Sequence, residues 1–582
     1  MNKEVASEQI RWREENLPNE VILEKVNEAW KSLSGQNPNP KIASLLAQRE
    51  IDTEEKMKAF FKPSLDELHD PFLMKDMDAA VSRIEKAITE GEKILVYGDY
   101  DVDGTTSVAL VYSVLKSLEI STGYYIPDRY SEGYGVSERG IDYAKENGFN
   151  LIIALDCGIR AIDKIDYASS RGIDFIICDH HTPGDEVPKA VAVLDPKREG
   201  CNYPYKELSG CGVGFKLMQG LFKNLGYETA NLYEYLDLLA VSIGADIVPI
   251  TGENRTLASF GLKRVFENGR PGITELFKSA KFSRTKDVSI SDLVFLIAPR
   301  INAAGRLDSG ETAVELLTTE SEEEAERLSK LLEQTNSTRK TLDKETTGEA
   351  LTMIAGNEEL EMSTATVVWK EGWHKGVIGI VASRLIEKYY RPTIVLTIEN
   401  GMATGSARSV EGFDIHEALK ACDHCIEQFG GHPMAAGLSI REENLETFRE
   451  SFGKTVSELL REEHSTPEVS VDLNLELHEI TAGFYKLLKH FAPFGPGNMR
   501  PVFKTENVVA SPRTRSVGSD NAHLKLEVTT DTNALGGIGF GLGKYASQLA
   551  AGQPFSMVYT LEENVFRGQR TLQLNVKDIH LE

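Results

Sequence analysis

Between residues 93 and 194, short β-forming runs alternate with amphipathic stretches: 93–97 (KILVY), 123–126, 151–155 (LIIAL), 175–178 (FIIC) and 191–194. A helix is predicted over 106–118 and another after Gly158. Apolar runs separated in this way predict a mostly parallel sheet with helices on both faces. In such sheets ligands bind outside the carboxyl ends of the strands. The reactive residues fall there: Asp99, Asp101 and Asp103 follow the first run, Asp156 follows 151–155, and Asp179, His180 and His181 follow 175–178. A further apolar stretch, 238–244, reads as strand or helix and delivers Asp246.

Three carboxylates at alternate positions in GDYDVDG (98–104) repel one another unless cations lie between them. Alone, this segment is compatible with an Asp-rich turn or a calcium loop. With Asp156, Asp246 and two adjacent histidines at the same sheet edge, it has the donor set of a two-metal site. Mg2+ and Mn2+ prefer oxygen ligands, and Mn2+ also accepts imidazole. Two such ions ~3.5–4 Å apart activate water and stabilise charge on a phosphoryl group, which points to phosphodiester or phosphoanhydride hydrolysis.

A chain of 582 residues has room for roughly three domains. Its formal charge of −25 excludes a protein that coats nucleic acid by bulk attraction, so a polyanionic substrate has to be held by local basic pockets or by metal. The amino-terminal residues show no secretory signal, and no apolar run reaches the ~18 residues of a membrane span. A cytoplasmic location with no membrane partner is the expectation. Six cysteines are too dilute for a disulfide framework. Cys422 and Cys425 have the spacing of a zinc half-site, but no second pair comes after them, which argues against structural zinc.

The expected organisation is an α/β protein in several parts. Residues 1–75 form an amino-terminal extension packed on the adjoining lobe, and 76–320 are that parallel-sheet lobe. Residues 321–355, rich in Glu, Leu, Lys and Thr, form a long connecting helix, and 356–465 a smaller α/β lobe. Residues 466–582 switch to close-spaced β segments with glycine turns, which predicts an OB-like β-barrel. From Arg500 onwards nine Lys and Arg balance eight Asp and Glu, a relative enrichment in positive charge. The barrel aromatics Phe503, Phe540 and Phe566 read as core and are assigned no role.

Several motifs carry a family resemblance. GDYDVDGTTS (98–107), Asp156-Cys157-Gly158, Asp179-His180-His181 and Gly244-Ala245-Asp246 resemble the four motifs of the DHH phosphoesterase superfamily. FGGHPMAAG (429–437) resembles the signature of the associated DHHA1 domain. PRINAAGR (299–306) and WHKGVIG (373–379) resemble the RecJ branch, the bacterial single-strand-specific DNA exonucleases. The resemblance covers most of the chain from about residue 75 onwards.

The resemblance implies Asp99, Asp101, Asp103, Asp156, His180 and Asp246 as ligands of two Mn2+ or Mg2+ ions, with Asp156 the bridge. Asp101, Asp103, Asp156, His180 and His181 form the implied catalytic set, His181 being a ligand or a contact to the scissile phosphate. The implied reaction releases 5'-mononucleotides from the 5' end of single-stranded DNA, in recombination and repair. A helicase and a single-strand-binding protein are the implied partners of a monomeric enzyme. Arg129, Ser406 and Arg408 are placed to grip a terminal 5'-phosphate, because Arg binds phosphate bidentately. Arg129 reads equally well as part of a surface salt bridge. Arg300, Asn302 and Arg306 are expected along the strand's path, and the small residues around His432 allow close approach to a nucleotide.

Two alternatives come from the same resemblance. Smaller relatives hydrolyse short oligoribonucleotides, cyclic dinucleotides or phosphoadenosine phosphate, but lack the barrel that residues 466–582 supply. Non-catalytic members have lost metal ligands, all of which are present here. Met499-Arg500 departs from the Pro-Glu expected in the family, adding positive charge at the barrel.

Overall fold

The computed structural model describes residues 10–282, 287–529, 534–566 and 569–582. It divides into two compact units, one of residues 14–333 with 471–582, the other of 334–470 with the segment ending at Arg13.

In the larger unit five parallel strands form one sheet in the order Thr122–Tyr125, Lys93–Gly98, Phe149–Leu155, Asp174–Cys178, Ala192–Leu194. Successive side chains turn to opposite faces. Ile94, Val96, Leu151 and Ile153 join a core with the helices Val102–Ser117 and Gly210–Leu225. Leu95, Tyr97, Ile152 and Ala154 join a second core with Glu138–Glu146 and Ile162–Ser170. Burial on both faces is why these strands read as unbroken apolar runs.

The helix predicted over 106–118 is Val102–Ser117 and starts earlier than its composition suggests. Asp101 is its N-cap, the carboxylate accepting the Gly104 N–H at 3.0 Å. Gly104 looks like a turn residue but lies in the first helical turn, where a Cβ would sit 2.3 Å from the Asp99 carbonyl oxygen. Its missing side chain lets the helix begin against the strand end, so the aspartates form a strand-to-helix corner and not a free turn. The ambiguous stretch 238–244 is helical, within Leu236–Ala245, and buried throughout.

The amino-terminal extension corrects an expectation. Its helices Glu20–Ser34, Pro40–Gln48 and Glu54–Phe61 contribute Val26, Ile42, Leu45, Leu46, Met57 and Phe60 to one core with the carboxyl-terminal β domain, including Phe484, Phe491 and Phe503. The first helices of the chain therefore complete its last domain. Arg255 ties the parallel-sheet lobe to both, its guanidinium donating to the carbonyls of Phe60, Phe491, Ala492 and Pro493. The β domain is a seven-stranded sheet in the order Leu473–Asn474, Val502–Val508, Phe555–Phe566, Gln569–Leu581, Ala534–Gly539, His523–Thr529, Arg515–Val517. Phe503 is core as expected, but Phe540 is 64% exposed; the Phe566 side chain lies outside the described residues. Arg500 is laid over the Phe494 ring, 4.7 Å from its centroid.

The predicted long helix is Glu322–Ala355, and the division between units falls within it. In the smaller unit Asp343, on this helix, accepts a bidentate pair from Arg384 of helix Lys375–Tyr389 at 2.8 Å from each nitrogen. The sheet there runs Gln428–His432, Ala435–Arg441, Met402–Arg408, Thr393–Glu399, Thr366–Glu371, with only the last pair parallel.

Candidate active site

The aspartates of the first corner differ in how they are held. Asp103 is 1% exposed and fixed by three donors: Gly210 N–H at 2.6 Å, Cys211 N–H at 2.9 Å and Ser242 Oγ–H at 2.7 Å. The two N–H groups come from the start of helix Gly210–Leu225, the end at which a helix favours negative charge. Asp101 is committed to capping its own helix. Asp99, also 1% exposed, has no hydrogen-bond partner at either carboxylate oxygen.

Asp156 follows the central strand with φ +59°, the left-handed region that non-glycine residues rarely adopt. Gly210 makes room for it, since a Cβ there would lie 2.6 Å from the Asp156 Cβ. His180 Nε2 is 3.2 Å from Asp156 Oδ1, 3.4 Å from Asp246 Oδ2 and 3.7 Å from Asp103 Oδ2. Neither Asp156 Oδ1 nor either ring nitrogen of His180 makes a hydrogen bond, although all three are buried. Buried polar atoms are rarely left so. The donor atoms of Asp156, His180 and His181, and those of Asp103, His180 and Asp246, cluster closely enough to ligate a metal ion. Cys422 and Cys425 belong to neither group.

Charge repulsion is visible in the proton affinities. Burial, then the Asp101 charge, raises the Asp99 carboxyl well above its ordinary range. Burial, then Asp103, Asp101 and Asp246, does the same to Asp156. Asp246 is pushed to about 8 by burial and by Asp103 and Asp101. Burial lowers His180, leaving a neutral imidazole with lone pair to give. Carboxyls that resist ionisation here ionise readily when a divalent cation is present, which is the behaviour of metal ligands. The donor set of hard oxygens and one or two imidazoles fits Mn2+ or Mg2+.

Asp179 has another function. Burial would raise it, but its Oδ1 accepts the His181 Nδ1–H at 2.7 Å and the His180 and His181 N–H groups, and its Oδ2 the Ile159 N–H, so its pKa falls to about 2. In turn burial would lower His181, but the hydrogen bond and charge of Asp179 raise it to about 9. Tyr134 Oη is 3.3 Å from His181 Nε2. Asp179, Tyr134 and Ser242 are supporting residues that reading the sequence missed. Asp179 stood inside a motif already recognised, whereas Tyr134 and Ser242 carry no sequence signal.

The remaining candidates scatter. Arg129 lies over Tyr100, 5.0 Å from its ring centroid, beside a 760 Å³ cavity that Gly305 and Asp308 also line. Arg300 is not lining any open path: it is 6% exposed, with Nε 2.5 Å from Glu333 Oε2 and Nη1 donating to the Leu296 carbonyl. Asn302 and Arg306 are half-buried on helix Ala298–Leu307, and the Arg306 carbonyl accepts from Tyr130 Oη. In the smaller unit Arg408 Nη1 donates to Ser406 Oγ at 2.8 Å. A Cβ at Gly379 would lie 2.8 Å from Arg408 Nη2, so glycine is what admits this pair beside the helix start. His432 is exposed at a strand end.

Comparison with known proteins accords with this geometry. Residues 93–243 match the DHH family amino-terminal domain, 361–458 the DHHA1 domain and 471–578 the RecJ OB domain. The chain is 39% identical over 551 residues to the single-stranded-DNA-specific exonuclease RecJ of Bacillus subtilis, covering 94% of this chain and 69% of that protein. It is 36% identical to the Escherichia coli enzyme, covering 87% of this chain and 90% of that one. Thermus thermophilus RecJ, solved in complex with Mn2+, superposes with a TM-score of 0.83 at 27% identity, covering 98% of this chain and 79% of that chain. Its Mg2+ complex superposes at 0.77 with 26% identity, covering 98% of this chain and 78% of that one. The parallel sheet, the acidic cluster at its carboxyl edge, the three matched domains and these relatives together show that the chain belongs to the RecJ family.

Proposed function

We propose that this chain is a metal-dependent 5'-to-3' exonuclease on single-stranded DNA that releases 5'-mononucleotides. The observation that carries the reading is the buried set of carboxylates converging on His180 with unpartnered oxygens. Asp99, Asp101, Asp103, Asp156, His180 and Asp246 would hold two Mn2+ or Mg2+ ions, which supply polarisation of the phosphodiester and activation of water at neutral pH. The chain's own groups do the rest. Asp179 keeps the His181 proton on Nδ1 and orients the ring, so that its other nitrogen faces Tyr134 and the acidic cluster. His181 is thereby suited to donate a hydrogen bond to a phosphate oxygen. Arg129, Ser406 and Arg408 would bind a terminal 5'-phosphate, which sets the polarity. Asn302 and Arg306 would touch the strand, as would His432, while Arg300 is held by Glu333 and acts through the helix it anchors.

The OB domain favours a long single strand over a dinucleotide. Partners of this reading are single-stranded DNA, a helicase and a single-strand-binding protein in recombination and repair, with the enzyme a cytoplasmic monomer. Among the described residues no helix is long and apolar enough to cross a membrane.

The test is release of label from 5'- and 3'-labelled single and double strands with Mn2+, Mg2+ or EDTA. Mononucleotides from the 5' end of single strands, abolished by EDTA, are expected. Hydrolysis confined to short oligoribonucleotides or cyclic dinucleotides would favour the alternative substrate class.

A further inference from the structure

Two irregular backbone turns lie beside Asp246, and each holds an apolar side chain in solvent. Ile247 has φ +59° and is 66% exposed. It comes directly after the residue that caps helix Leu236–Ala245, where a helix ordinarily ends on glycine or asparagine. A β-branched residue is the least suited to this conformation, and its exposure means that no packing within the chain offsets the strain. Its neighbours Val248 and Ile250 are buried, with the Ile250 N–H donating to the Pro496 carbonyl at 2.7 Å, so the segment is anchored while Ile247 alone stands out.

The second turn is the π-helical stretch Leu293–Ile297. Pro299 has no N–H to give to the Phe295 carbonyl, which breaks the regular ladder. Leu293 and Ile297 are buried, but Phe295 is 73% exposed. This turn packs on the end of the helix that leads to Asp246. A Cβ at Gly244 would lie 3.7 Å from both Leu293 Cβ and Val294 Cγ2.

We propose that Ile247 and Phe295 form an apolar ledge beside the acidic site, on which sugars and bases of the substrate strand rest. The inference depends on the proposed single-strand substrate and adds a contact surface distinct from the carboxylates and arginines. Asp246 Oδ2 is 3.4 Å from His180 Nε2, so a nucleotide whose phosphate meets the cluster has its sugar and base within reach of the next residue. An uncharged ledge also suits a chain of net charge −25 that must accept a polyanion next to five carboxylates. Apolar and aromatic contacts are how single strands are held without regard to sequence.

The experiment is fluorescence anisotropy of a labelled 5'-phosphorylated single strand with the full chain in EDTA, alongside thermal unfolding and a separate Mn2+ cleavage assay. Phe295→Ala is expected to weaken binding about tenfold. Ile247→Gly is expected to weaken it several-fold while its unfolding midpoint holds or rises, and Ile247→Val to bind as the parent does. Unchanged binding in both Phe295→Ala and Ile247→Gly overturns the ledge, as does a parent chain that binds no single strand. Impaired binding by both variants, with no cleavage by the parent, sustains the ledge and sinks the exonuclease reading instead.

Discussion

Buried acids occur in two settings within the larger unit, and they differ in what neutralises them. Fully buried Asp237 accepts a bidentate pair from Arg270, Nη2 at 2.8 Å and Nε at 3.0 Å, together with the Leu238 N–H. Glu253, 4% exposed, is bound by the equally buried Lys216 at 2.7 Å and by Tyr203 Oη at 2.6 Å. At the sheet edge, by contrast, Asp99, Asp101, Asp103, Asp156 and Asp246 gather with only His180 and His181 for company. Among the described residues none of the five forms an ion pair with Lys or Arg. The first setting is complete within the fold. The second has carboxylates arranged for a cation that the chain does not supply.

Breaking each setting should therefore give opposite signatures. Arg270→Ala leaves Asp237 buried without its counter-charge and should cost about 3–5 kcal/mol of stability, read by denaturant unfolding. Asp156→Asn should cut cleavage of single strands by about 10²–10³-fold or more, with metal-free stability unchanged or raised because a repelling charge is gone. If Asp156→Asn unfolds as easily as Arg270→Ala, the two settings are alike and the contrast fails. Asp179→Asn, which removes the acceptor of His181 Nδ1–H, should lower activity by about 10–100-fold, and parent-like activity would show that this hydrogen bond is dispensable.

A pH series sharpens the contrast further. The folded pKa of Asp246 is about 8, above the 3.8 of a free carboxyl, so its contribution to metal-free stability is full below about pH 4 and lost as pH rises through 8. The metal-free chain should melt at progressively lower temperature between these values, and apparent Mn2+ affinity should rise over the same range as the ligands deprotonate. A melting temperature independent of pH, or affinity falling with pH, would show that the carboxylates do not repel one another as described.

Much of the site was legible because parallel strands advertise themselves. Runs such as 151–155 are apolar on both faces, and the residues immediately after them stand at the ligand-binding edge. That logic located Asp156, His180 and the Asp99 to Asp103 corner. It did not reveal that Asp101 caps a helix, because the glycine at 104 imitates a turn and its packing reason, contact with the Asp99 carbonyl, is tertiary. Nor could it reveal the loss of Arg300 to Glu333, a pairing with a helix 33 residues away (333 − 300). The amino-terminal helices were read as local packing, whereas Val26 and Phe60 share a core with Phe491 and Phe503. Nothing in an amphipathic helix states which distant surface it covers. Truncating the β domain would for this reason also strip the extension of its core, so its role is better probed by point substitution.

The central claim is that the acidic cluster is a site for divalent cations. Calorimetric titration of the chelator-treated full chain with Mn2+ at pH 8 tests it directly. Two ions per chain for the parent, with binding lost or reduced to one in Asp156→Asn, is the predicted result. No binding by the parent, or the same stoichiometry and affinity in Asp156→Asn, would contradict it.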